Sequence, residues 1–311
     1  MIKKLSLCLL TTITLNAASF EEAAKNLSLK KYDTAFTQLT QLAIDENSNA
    51  QYNLALMHYK GLGINQNYEL AFFWYQQAAN SGNLKAQNNL AHMYYLGQGV
   101  KKDKTKAKEW FEKAALEDYP LAQLNLGLIY EKTPQEKSLK KSYFWYKKAA
   151  NNGVIIAQNN LGSMYYYGKG VKKDLQKAYF WYDKAAKADN EVALLNLGNM
   201  YVTGDFVSKD VEKGISFLEK SANFGNDIAK MKLADLFREA NEVEQDYQKS
   251  FKYYEQLANK NNTKAMYYLG FLYFNGYGVK KDVDEATIWL QRAKSLGHKR
   301  SANFLKIHNL K

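Results

Sequence analysis

The chain has 311 residues, 46% of them hydrophobic, and a formal net charge of +12. That length ordinarily means two globular domains, but a chain of stacked repeats escapes the estimate because each repeat packs only on its neighbours; one elongated domain is expected. The only cysteine is Cys8, near the N-terminus, so the remainder can form no disulfide, thiol nucleophile or cysteine metal site.

In chain order, residues 1–18 have the layout of an export signal. Lys3 and Lys4 form a basic start, Leu5 to Leu15 is an apolar stretch too short to span a bilayer, and Asn16-Ala17-Ala18 offers small residues for cleavage after Ala17 or Ala18. Leu7 stands before Cys8 where a lipoprotein signal needs a small residue, so lipidation is not expected. The mature chain is then expected to be periplasmic or secreted, with no transmembrane segment and a charge of +10. Residues 19–49 hold a capping helix pair, its second helix marked by Ala35, Leu39, Leu42 and Ala43.

From residue 50 to about 300 one pattern recurs seven times. An alanine followed four residues later by leucine appears at Ala50/Leu54, Ala86/Leu90, Ala122/Leu126, Ala157/Leu161, Ala193/Leu197, Ala229/Leu233 and Ala265/Leu269, at spacings of 36, 36, 35, 36, 36 and 36. A second block follows in each copy, as in Ala71, Trp74, Tyr75, Ala78, Ala79. Both blocks have the spacing of one apolar helix face, so each copy reads as helix A, loop, helix B. Four loops carry paired glycines (Gly61/Gly63, Gly97/Gly99, Gly168/Gly170, Gly276/Gly278), and Asp103, Asp174, Asp210 and Asp282 stand where a carboxylate caps helix B. Four residues before the anchors from Ala86 onward, and before Ser301 of a degenerate eighth copy (Ser301/Leu305), come Gly82, Asp118, Gly153, Asp189, Gly225, Asn261 and Gly297, types that tolerate the left-handed conformation ending a helix. The third copy has Thr133-Pro134-Gln135 in place of the glycine loop, the fifth keeps only Gly204 before Phe206, and the sixth has Arg238-Glu239-Ala240-Asn241. Altered loops with unchanged helix packing are expected there. Residues 301–311 read as a lone capping helix A, with Asn309 where Tyr94 stands in the second copy.

The residues Ala157, Leu161, Gly162, Tyr165, Gly168, Gly170, Val171, Asp174, Ala178, Trp181, Tyr182, Ala185 and Ala186 resemble the Sel1-like repeat, a relative of the tetratricopeptide repeat. The resemblance covers about residues 50–300. It implies an all-α, right-handed α-solenoid of stacked antiparallel helix pairs, with helix A lining a concave groove that serves protein–protein contacts. It implies no cofactor and no catalysis. Some exported relatives are cysteine-rich, a feature absent here.

On helix A the anchor, +4 and +8 share an inward arc, leaving +2, +6 and +9 on the opposite side. With the groove assignment implied by the resemblance, the candidate partner-binding residues are Tyr52, Tyr59, Asn88, His92, Tyr95, Asn159, Tyr166, Asn199, Tyr267 and Phe274. Tyrosine gives large contact area at low entropic cost, and asparagine bonds an extended backbone. The expected partner is a protein or peptide, held by a monomer.

Lysines recur with the repeat, in loops such as Lys101-Lys102, Lys172-Lys173 and Lys280-Lys281. That favours a solvated face over nucleic-acid binding. The histidines His58, His92, His298 and His308 have no metal-ligand spacing, and His58, at the repeat's tyrosine position, is expected to pack in the core. Some exported relatives have been described as β-lactam-binding or β-lactam-hydrolysing. Ser28–Lys31 and Ser138–Lys141 match S-x-x-K, but no S-D-N or K-T-G element accompanies them, and Ser138 is expected in the irregular loop of the third copy. A cell-wall glycan-binding scaffold is a further alternative.

Overall fold

A computed structural model describes residues 19–132, 135–239 and 244–310. Residues 1–18, read above as an export signal and holding Cys8, residues 133–134 of the third copy and residues 240–243 of the sixth lie outside the described residues. Within them the regular structure is all α-helical, seventeen helices in chain order. The chain divides into two compact units, Met1–Lys132 and Thr133–Lys311.

The first unit contains α1 (Phe20–Ser28), α2 (Tyr32–Ile44), α3 (Ser48–Lys60), α4 (Tyr68–Asn80), α5 (Leu84–Leu96), α6 (Lys104–Leu116) and α7 (Pro120–Glu131). The second contains α8 (Glu136–Asn151), α9 (Ile155–Tyr167), α10 (Leu175–Ala186), α11 (Glu191–Thr203), α12 (Val211–Asn223), α13 (Asp227–Glu239), α14 (Tyr247–Ala258), α15 (Thr263–Asn275), α16 (Val283–Ser295) and α17 (Lys299–Ile307). Within each unit every helix packs chiefly on the one before and the one after. This is the stacking of antiparallel helix pairs that makes an α-solenoid.

The anchor ladder is the core. All seven anchor alanines are fully buried, and the leucines four residues on are buried with them. Facing them from the B helices come Tyr75 and Phe111 in the first unit, and Tyr146, Tyr182, Leu218, Tyr254 and Leu290 in the second, each at most 2% exposed. Alanine allows the helices close approach, and one large side chain per copy fills the space between them. Five residues after the anchor, where Ala55, Ala91 and Ala234 stand in other copies, glycine brings the helices closer still: a Cβ on Gly162 would lie 2.7 Å from the Tyr182 ring.

The expected capping and junction residues are in place. Asp103, Asp174, Asp210 and Asp282 accept backbone N–H bonds at the starts of α6, α10, α12 and α16. All seven junction residues from Gly82 to Gly297 have positive φ, from 56° at Asp118 to 97° at Gly225. Asn47, Asn83, Asn190, Asn226 and Asn262 cap the A helices by accepting the N–H of the anchor alanine. In the sixth copy α13 packs on α14 as other pairs do. Two boundaries differ from the sequence expectation. Ser138 lies in the first turn of α8 rather than in a loop, because the helix begins at Glu136. α17 stops at Ile307, so Asn309, with φ of 53°, lies past its end.

Candidate functional site

None of the ten candidate residues is fully exposed: Asn88 and Asn159 are buried and the other eight half-buried. The reason is that the +2, +6 and +9 positions reach across to the next copy. Others of the same offsets, Leu124, Leu195 and Val202, are buried outright.

In the first unit, Asn125 of α7 donates from Nδ2 to Oδ1 of Asn88 at 2.9 Å, and the same nitrogen lies 3.1 Å from Nε2 of His92. An amide NH2 has two hydrogens and no lone pair to offer, so His92 must accept at Nε2. Burial holds the His92 imidazole below its ordinary range, and its ring meets Phe111 edge to face at 5.0 Å. Tyr59 donates to Oε1 of Gln98 at 3.0 Å, and Lys132 donates to the Tyr95 hydroxyl at 3.2 Å, lowering that phenol's pKa. Tyr52 packs 5.8 Å from Tyr75, and burial raises its pKa. His58 is buried against Phe36, as its core position predicts, with its pKa lowered by burial.

The second unit repeats the motif. Asn196 of α11 donates to Oδ1 of Asn159 at 3.0 Å, and Tyr166 donates to Asp205 at 2.5 Å. The bond to Asp205, helped by burial, pushes the Tyr166 pKa up to about 12. Asn199 has a buried Oδ1. Tyr267 and Phe274 turn toward α17: Phe304 lies 6.2 Å from Tyr267 and 5.2 Å from Phe274, with His308 4.6 Å from Phe274. Tyr59, Asn88, His92, Tyr95, Asn159 and Tyr166 thus tie one copy to the next, and Tyr267 and Phe274 tie the last copy to α17.

A periodic signal for the rungs exists in the sequence. Asparagine stands at anchor +3 in five successive copies: Asn53, Asn89, Asn125, Asn160 and Asn196. In the sixth copy this position is Lys232, and in the seventh Tyr268. A second periodic polar residue, glutamine at anchor +1, is buried in the first four copies. Gln51, Gln87, Gln123 and Gln158 donate to the carbonyls of Ala43, Ala79, Ala115 and Ala150, in the last turn of the preceding B helix.

The face of α13 differs. It borders a hollow of about 570 Å³ lined by Ile228, Met231 and Leu236 together with Lys232, Asp235 and Lys264. Met231 and Asp235 are its +2 and +6 positions. Asp235 accepts a 2.7 Å ion pair from Lys264 and a 2.5 Å bond from the Tyr254 hydroxyl. Lys232 is half-buried, and burial lowers its pKa. Among the described residues no group of three or more His, Cys, Asp or Glu is placed to hold a metal ion, and no helix is long and apolar enough to cross a membrane.

The fold and these side chains define a helix-pair repeat solenoid whose polar residues mainly join successive copies. A family profile for the Sel1 repeat matches residues 48–83, 84–119, 120–154, 155–190, 192–226, 228–262 and 263–298. The chain belongs to the Sel1 repeat family, whose solenoids serve in general as non-catalytic scaffolds for protein contacts. Among solved structures it is similar to c5321, a protective antigen present in uropathogenic Escherichia coli strains and displaying the SLR fold. That match has 30% identity and a TM-score of 0.79, covering 93% of this chain and 63% of the antigen. A Sel1 repeat protein from Oxalobacter formigenes is similar at 27% identity and a TM-score of 0.73, covering 92% of this chain and 86% of that one. Comparison with curated proteins found no match.

Proposed function

We propose that the chain is a non-catalytic scaffold that holds a protein or peptide partner against its helix A faces, in the bacterial cell envelope or outside the cell. The observation that carries this reading is the hollow on α13. Three apolar side chains beside fixed charges, in an open depression of about 570 Å³, suit a peptide segment with one apolar anchor and polar neighbours. The half-buried Lys232 offers an ammonium to a carboxylate on that segment. The candidates at the same offsets in other copies shape the helix A face by locking successive copies together. Export rests on the basic start, apolar run and small residues of positions 1–18, and the antigen among the similar structures is consistent with it.

Affinity capture from envelope extract, followed by binding of the captured partner to variants, tests the reading. Ile228→Asp with Met231→Asp is expected to weaken binding about tenfold or more, as for an apolar anchor lost from an interface, while helical content is unchanged. Undiminished binding by that variant rejects the α13 face as the site.

A further inference from the structure

The charge of the chain is not spread evenly. From Glu136 to Lys187 there are eleven lysines against three acidic residues, Glu136, Asp174 and Asp183, and no arginine. This stretch alone carries a surplus of eight positive charges, against +12 for the whole chain. Recurrence of lysine at the repeat period hides the concentration.

The same stretch exposes two large aromatic rings. Phe144 on α8 and Phe180 on α10 each stand two residues after the small side chain, Ser142 or Ala178, that packs inward. Two residues at about 100° each place them opposite the core. They are 50% and 57% exposed, while Tyr146 and Tyr182, two residues on, are buried. Both helices pack on α9. Phe144 meets Trp145 edge to face at 4.9 Å, and Phe180 meets Trp181 at 5.1 Å. Lysines occupy the neighbouring helix positions: Lys140, Lys141, Lys147 and Lys148 lie three or four residues from Phe144, and Lys177 and Lys184 three or four from Phe180.

We propose that this outer face of α8 and α10 docks on an anionic lipid bilayer, with Phe144 and Phe180 entering the interfacial layer and the surrounding lysines on the headgroups. Each half needs the other. An apolar anchor of this size gives only marginal, reversible binding alone, and a polybasic patch supplies the second signal. Aromatic rings favour the headgroup level. The composition favours lipid over nucleic acid. A lysine-only surface suits diffuse negative charge, whereas ordered phosphates and bases are usually read by the planar fork of arginine. The indole faces that would stack on bases are also covered, by Lys148 5.9 Å from the Trp145 ring and Lys184 5.2 Å from that of Trp181.

The test is sedimentation of the full chain with vesicles of equal parts phosphatidylglycerol and phosphatidylcholine, against phosphatidylcholine alone. Retention is expected on the first only. Phe144→Ser with Phe180→Ser, and separately Lys140→Glu with Lys147→Glu, should each weaken retention about tenfold or more at an unchanged melting temperature. Lys101→Glu with Lys102→Glu, exposed lysines between α5 and α6, should leave it unaltered. The proposal is overturned by absence of retention, by equal retention on neutral vesicles, or by equal loss in the Lys101/Lys102 variant. Retention indifferent to the phenylalanines overturns it too, as does tighter, phenylalanine-dependent binding to single-stranded DNA.

Discussion

Gln158 shows how much one buried amide does in this fold. Its Nε2 reaches back eight residues to the Ala150 carbonyl, which also accepts the N–H of Gly153. Gln158→Leu keeps the bulk and removes the donor, and the carbonyl retains its other bond. The expected cost is therefore modest, about 1 kcal/mol, measured by urea unfolding. Glycine at the second loop position is under a harder constraint. Gly99 has φ of 64°, and a Cβ there would lie 2.1 Å from the Tyr68 carbonyl oxygen. Gly99→Ala should cost more than about 2 kcal/mol, since the left-handed penalty of roughly 1–2 kcal/mol adds to a backbone clash. In the fifth copy the corresponding residue is Phe206, at φ of 69° and half exposed. Phe206→Gly should raise the melting temperature by relieving about 1 kcal/mol of that strain, even with loss of the ring contact to Tyr179 at 5.9 Å.

Between A helices, the rung of Asn88, His92 and Asn125 makes stability depend on pH. Burial puts the folded-state pKa of His92 below its unfolded value of about 6.5. As pH falls through that value the unfolded chain takes the proton first, so stability is complete above about pH 6.5 and declines below it. Burial shifts His58 the same way, and His298 follows through burial and Arg300. Melting temperature should therefore drop as pH falls toward 5, and His92→Gln should flatten the slope. An unchanged slope in the variant would assign the effect to other groups. The A and B helices, the aspartate caps of the B helices and the αL junctions were legible in the sequence because each depends on residue types at fixed local spacing. The rungs were not. A polar residue at +2 or +3 of a helix reads as solvent-facing, and here its burial comes from a helix one copy away. Tyr95 and Tyr166 looked like open contact surface for the same reason, and their partners Lys132 and Asp205 stand 37 and 39 residues off.

For the whole molecule, cohesion is local: within each unit a helix touches chiefly its two chain neighbours. Leu269→Ala in α15, where the leucine is fully buried, should cost about 2–5 kcal/mol. Hydrogen exchange should then quicken in α14, α15 and α16 while α9, α10 and α11 keep their protection. Uniform loss of protection across these helices would show cooperativity beyond nearest neighbours. The repeat ladder could be read at this scale from the spacing of alanine and leucine alone. The lysine-rich stretch around Phe144 and Phe180 escaped that reading, because a periodic template averages over copies and conceals what one or two of them carry in excess.

The buried glutamines also have a consequence for synthesis. Each belongs to one copy but adds a bond to the last turn of the helix before it, so the unit of sequence and the unit it ties down are offset by a helix. As the chain leaves the ribosome, the Ala79 carbonyl of α4 already holds the N–H of Gly82 and gains a side-chain donor when Gln87 follows. Eight residues at the usual pace of translation take roughly one second. In the first four copies each arriving helix A therefore pins the end of its predecessor almost at once with a bond from its own buried amide.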